Sequence, residues 1–204
     1  MMPVRRRPSL RVRFARLAVA ASCAMLSAVA VNAQVKASLP ADVTPAWTKG
    51  IQAISPESYY NAIDCGKKGG QQSACVFWDT GLCKNDDFTL NWYTPYKQVA
   101  YEVWLAASKK QPIPQPSFPA AQRTRVTIGL APVKGAKNVA TTIQIKRGGQ
   151  TIKPATQALE ADGGGKFIFD YSPFAPTTDI TLEFVGKART ITCTVDQATL
   201  ALFR

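Results

Sequence analysis

The sequence predicts a mostly β chain with a smaller α-helical or irregular N-terminal part and an antiparallel, immunoglobulin-like β-sandwich at the C-terminus. Three observations carry that expectation. Beyond residue 121, short runs alternate apolar and polar residues, the period of a half-buried strand. Glycine-bearing turns separate those runs, as hairpins require. Ahead of them, QPIPQPSFPA at 111–120 packs four prolines into ten residues, which favours an extended connector.

Taken in order, the chain begins with a stretch that reads as a secretory leader. Arg5, Arg6, Arg7, Arg11, Arg13 and Arg16 precede the apolar run LAVAASCAMLSAVAV at 17–31. Val31 and Ala33 place small residues at −3 and −1 of a cleavage site after Ala33. The run is short and alanine-rich for a transmembrane span, which needs about 20 apolar residues. Arg6-Arg7 also allows a twin-arginine reading, although Ser9 stands where an apolar residue is expected. The expected organisation is therefore a leader at 1–33, an aromatic-rich, disulfide-containing segment at 34–110, the connector at 111–120 and a β-sandwich at 121–204. The mature chain has no further run long enough to span a membrane, and its expected location is secreted or periplasmic.

Segment 34–110 holds all four tryptophans (Trp47, Trp78, Trp92 and Trp104) and five of the six tyrosines. Thr94-Pro95 has the form of an N-cap followed by proline at the first helical position. YKQVAYEVWLAASKK then continues as a helix to about Ser108, with Tyr96, Val99, Val103, Trp104 and Ala107 at helical spacing on one face; the β-rich content of VAYEVW keeps a strand as the alternative. A shorter helix is expected near residues 55–62, followed by CGKKGGQQSAC as a flexible, glycine-rich loop pinned by cysteines.

After the connector, RTRVTIGLA (123–131) places Val126, Ile128 and Leu130 on one side of a strand. VATTIQIKR and QTIK flank Gly148-Gly149, a hairpin signal. KFIFDY (166–171) follows Gly163-Gly164-Gly165. DITLEFV and ARTITCTV flank Gly186-Lys187, which suits a type II′ turn with glycine first. The last strand puts Ile191, Cys193 and Val195 on one face, directed inward. Six or seven short strands in this region are the basis for the sandwich. A small barrel is the alternative. The Cys…Trp…Cys signature of true immunoglobulin domains is missing.

Four cysteines follow the leader: Cys65, Cys75, Cys83 and Cys193. An even number in an exported chain points to two disulfides. Four cysteines allow three pairings; the favoured one is Cys75–Cys83 as a local loop and Cys65–Cys193 as the long staple. Zinc would want paired Cys-x-x-Cys or histidine ligands, and the chain has no histidine. A redox Cys-x-x-Cys is absent too. An EF-hand register from Asp79 fails, with Lys84 at the position of its glycine and Leu90 at that of its glutamate. An irregular calcium site at Asp79, Asp86 and Asp87 remains the metal alternative, but capping of the following turn by Asp86 or Asp87 is preferred. No metal or cofactor is expected.

Composition narrows function further. The whole chain has 25 basic and 13 acidic residues, a net +12. Six arginines lie in the leader, so the remainder has 19 basic against 13 acidic residues, or +6. The charges are scattered, which suits solubility and not a nucleic-acid footprint. The lack of histidine excludes Ser-His-Asp and Cys-His catalysis. No phosphate-cradling glycine motif is present. The expected function is a non-catalytic binding or structural accessory protein of a bacterial envelope or extracellular space, with an envelope protein or a glycan as partner. Trp78, Trp92, Tyr93, Tyr96 and Trp104 are the candidate binding aromatics. The alternative is a small carbohydrate-active enzyme using two carboxylates among Asp64, Asp79, Asp86, Asp87 and Glu102.

Overall fold

A computed structural model describes residues 49–68 and 75–204; the expected leader and Trp47 lie outside the described residues. Two antiparallel four-stranded sheets and a few helices make up the molecule. Strands β1 (Phe88–Tyr93), β2 (Arg125–Pro132), β5 (Thr156–Leu159) and β6 (Gly165–Asp170) form the first sheet, in the order β1-β2-β6-β5. The second contains β3 (Ala140–Arg147), β4 (Gln150–Ile152), β7 (Ile180–Gly186) and β8 (Thr190–Val195), in the order β4-β3-β7-β8.

The strands that the period-two pattern predicts are all formed. Val126, Ile128 and Leu130 of β2 are buried, as are Ile191, Cys193 and Val195 of β8. These side chains join Phe167, Phe169, Ile143, Ile145, Leu182 and Phe184 in one core shared by both sheets. Phe88 meets Phe184 across that core, with ring centroids 4.4 Å apart. β1 lies before the proline-rich segment, yet it pairs with β2 along its whole length, from Phe88↔Pro132 to Tyr93↔Thr127.

The turns divide by chemistry. Gly148 and Gly149 both adopt positive φ, 52° and 78°, and join Arg147 to its partner Gln150, as a primed hairpin turn demands. The other hairpin departs from expectation. Gly186 does not lead a type II′ turn; it takes no positive φ and closes the ladder by donating its N–H to Arg189 O at 3.1 Å. Its lack of a side chain serves packing instead. A Cβ there would stand 2.2 Å from Oδ1 of Asn138.

Helices α1 (Pro56–Lys68) and α2 (Pro95–Ser108) pack on each other beside the sheets. Ile63, Val76, Tyr96, Val99, Ala100 and Val103 lie in a second, smaller core between them. Cys65 to Lys68, expected in a flexible loop, belong to α1 instead. Gly66 is buried against α2, where a Cβ would come 2.5 Å from Ala100 O, so this glycine permits close helix contact and does not break the helix. Along the connector, the single turn α3 (Phe118–Ala121) lies against α1; Ser117 donates its N–H to the Tyr59 hydroxyl at 2.9 Å. A final helix, α4 (Gln197–Leu202), was not signalled by any pattern noted above. Asp196 caps it by accepting the Thr199 N–H at 2.6 Å.

Both disulfides form, but with different partners from those favoured above. Cys65 bonds Cys75, and Cys83 bonds Cys193. The cause is positional. Cys65 lies in α1, facing the inter-helix core, whereas Cys83 lies in the sheet core beside β8. Cys193 is thus stapled to the segment before β1. Two disulfides fit a chain that folds in an oxidising compartment, extracellular or periplasmic. Among the described residues, no helix is long and apolar enough to cross a membrane.

Candidate functional site

The site grows from the start of α2. Thr94 accepts the Lys97 N–H on its hydroxyl at 3.1 Å, and Pro95 supplies the first helical residue. A helix begun there divides its residues between two stripes. Tyr96, Val99, Ala100 and Val103 face α1 and are buried. Lys97, Tyr101 and Trp104, spaced by four and three residues, make the other stripe, so Trp104 does not share the face of Tyr96, Val99 and Val103 as its spacing predicts.

That second stripe meets the end of β1 and the loop at 75–87. Tyr93 and Tyr101 pack edge to face with centroids 5.6 Å apart. Tyr101 and Trp104 lie 5.5 Å apart at an interplanar angle of 33°. Phe77 from the loop closes on Trp104 at 5.0 Å. All four side chains are half-buried, so Tyr93, Tyr101, Trp104 and Phe77 form a continuous, partly exposed aromatic strip. Beyond Tyr93 the strip borders the outer face of the first sheet. There Gly129 leaves a Cβ position 3.6 Å from Cε2 of Tyr93, flanked by exposed Asn91.

Beneath the strip lies a buried ion pair. Lys97 Nζ donates to Asp79 Oδ1, and each residue is only 2% exposed. The Trp92 backbone N–H donates to the other carboxylate oxygen. Nζ lies 5.2 Å from the centre of the Tyr93 ring and 5.8 Å from that of Trp78. Burial pushes the Lys97 ammonium below the ordinary lysine range, while Asp79 pulls it back up. Burial likewise raises the Tyr93 hydroxyl, helped by Tyr101 and Asp79.

Of the five candidate aromatics, Tyr93 and Trp104 reach the strip. Trp78, Trp92 and Tyr96 are corrected to the interior. Trp78 and Trp92 both pack on Phe203, at 4.7 and 5.2 Å, and Tyr96 lies under the Arg204 guanidinium at 4.5 Å. The strip also uses Phe77 and Tyr101, which were not singled out. Tyr101 had a signal, the spacing Lys97–Tyr101–Trp104; Phe77 had only its place in an apolar run.

Apart from the chain neighbours Asp86 and Asp87, the candidate carboxylates do not gather. Asp79 holds Lys97, Glu102 accepts Arg123 at 2.9 and 3.0 Å, and Asp64 is exposed on α1. Asp87 is tied to Arg189 at 2.8 Å and accepts the N–H groups of Lys137 and Asn138. These bonds hold its carboxyl below the usual range, Arg189 foremost, against the effect of burial. The turn before β1 is capped by Asn85, whose side chain accepts the N–H groups of Asp87 and Phe88 at 2.8 and 3.1 Å. Asp87 instead ties distant loops together. A half-open cleft of about 420 Å³ lies there, lined by Asp86, Asp87, Lys137, Asn138 and Arg189. Among the described residues, no three metal-ligating side chains cluster. No protein-family model, curated protein or solved structure matches the chain.

Proposed function

We propose that this chain is an exported, non-catalytic binding or structural accessory protein of a bacterial envelope or extracellular space, built as an immunoglobulin-like sandwich with two helices packed beside it. The observation that carries the binding role is the strip of Phe77, Tyr93, Tyr101 and Trp104. Half-buried aromatic rings lose little entropy on binding and offer flat apolar faces with polar edges, the usual anchors of an interface. Glycan rings stack on such faces, and Asn91 beside them supplies amide donors and acceptors. The fold reading is supported by strand order. With β1 to β8 as A, B, C, C′, D, E, F and G, the sheets are A-B-E-D and C′-C-F-G, the immunoglobulin arrangement. The non-catalytic reading is supported by the lack of histidine and by the engagement of Asp79, Asp87 and Glu102 with basic partners.

The test is retention of the mature protein on insoluble envelope polysaccharide. Trp104→Ala combined with Tyr101→Ala is expected to lower affinity at least tenfold, the consequence of removing anchors that contribute about 2 kcal/mol. A doubly substituted protein that keeps its circular dichroism and its wild-type retention would exclude the strip as the binding face.

A further inference from the structure

Lys97 and Asp79 form the most deeply buried ion pair among the described residues, and the binding reading makes no use of them. We propose that the two join covalently: Lys97 Nζ attacks Cγ of Asp79, an amide forms, and one water leaves. The bond ties the loop before β1 to the first turn of α2 from inside.

The geometry supplies what this condensation needs. Nucleophile and acceptor carboxylate are already held together in hydrogen-bond contact, which turns the meeting of the two groups into an intramolecular step. The Trp92 N–H donates to the second carboxylate oxygen, where negative charge gathers in the tetrahedral intermediate. Burial favours the uncharged amine, the nucleophilic form. Tyr93 and Trp78 wall the ammonium with apolar rings.

Atoms and protons balance within the pair. One Nζ proton passes to Oδ1, giving amine and carboxylic acid. The nitrogen lone pair then adds to Cγ. A second Nζ proton joins the hydroxyl oxygen, the Cγ–O bond breaks, and water departs. No oxidant, reductant or cofactor takes part. The driving force is removal of charge. A buried ion pair carries a desolvation penalty for each ion, and the amide has no charge to desolvate.

The exported, purified wild-type chain decides the matter by intact mass under reducing and non-reducing conditions. The expected mass is lighter than the processed sequence by one water, in addition to the hydrogens lost to the disulfides. After reduction, trypsin should fail to cut after Lys97 and should yield one branched peptide joining the segments that contain Asp79 and Lys97. Lys97→Arg keeps a cation but cannot form the amide, and should show the full mass; Asp79→Ala should do the same. A wild-type chain lacking no water overturns the proposal. So does a chain that has lost water but is cut normally after Lys97, because the dehydration would then lie elsewhere. The wild-type result stands alone if either variant fails to fold.

Discussion

Asp87 shows how much structure one buried side chain can organise. Its carboxylate accepts N–H groups from Lys137 and Asn138 and pairs with Arg189, joining the loop before β1 to the β2–β3 loop and the β7–β8 turn. Asn138 continues the network, accepting the N–H groups of Ala188 and Arg189 and donating to Arg189 O. Removing Asp87 leaves the buried Asn138 N–H and the part-buried Lys137 N–H without this acceptor, so Asp87→Ala should cost about 1–3 kcal/mol. The pH dependence follows from the lowered folded-state value. A carboxyl held below its unfolded pKa stabilises fully above that value, near pH 4, and loses the contribution as pH falls through its folded value. Melting temperatures from pH 6 to pH 2 should therefore fall less steeply for Asp87→Asn than for wild type. Parallel curves would show that Asp87 contributes no linkage. The same residue marks a limit of sequence reading. Its acid neighbours, Asp79 and Asp86, suggest a metal loop when seen in a row, but Asp79 and Asp87 point to different basic partners, Lys97 and Arg189, each far away in the chain.

At the scale of elements, the two disulfides staple different units. Cys65–Cys75 joins α1 to the loop that follows, with a separation of 10 residues. Cys83–Cys193 joins the segment before β1 to β8, across 110 residues. In the chain-entropy model, a loop of about 15 residues contributes about 3 kcal/mol and one of about 100 about 4.7. Replacing Cys83 and Cys193 together by serine should thus lower stability by 1–2 kcal/mol more than replacing Cys65 and Cys75, an approximate difference set by loop length. Denaturant midpoints of the two double variants compare them directly. Mapping of non-reduced peptides should recover 65 with 75 and 83 with 193; any other pairing would refute the assignment. α2 was legible from its cap, Thr94-Pro95, and its apolar spacing. β1 was not singled out, although Phe88, Leu90 and Trp92 alternate. Its pattern lies between a cysteine-rich loop and a helix, and a single strand declares itself only when a partner is present to pair with it.

For the whole molecule, the proposed export predicts that the secreted protein starts at or near Gln34, because the small residues Val31 and Ala33 suit signal peptidase. N-terminal sequencing of the exported fraction tests this, and an intact Met1 there would refute it. The sequence alone determined the strands from β2 to β4 and from β6 to β8, the Gly148-Gly149 turn, the start of α2 and the oxidised state of the cysteines. The oxidised state followed from the cysteine count; the other features depend on residues near one another, whose period, turn chemistry and capping act over one or two turns of chain. Tertiary structure decided which cysteine meets which, the place of β1 beside β2, the burial of Trp78, Trp92 and Tyr96, and the union of Phe77, Tyr93, Tyr101 and Trp104 into one strip. Each of these depends on residues far apart in the chain. Sheet register and helix packing bring them together, and a local pattern carries no record of which distant face it will meet.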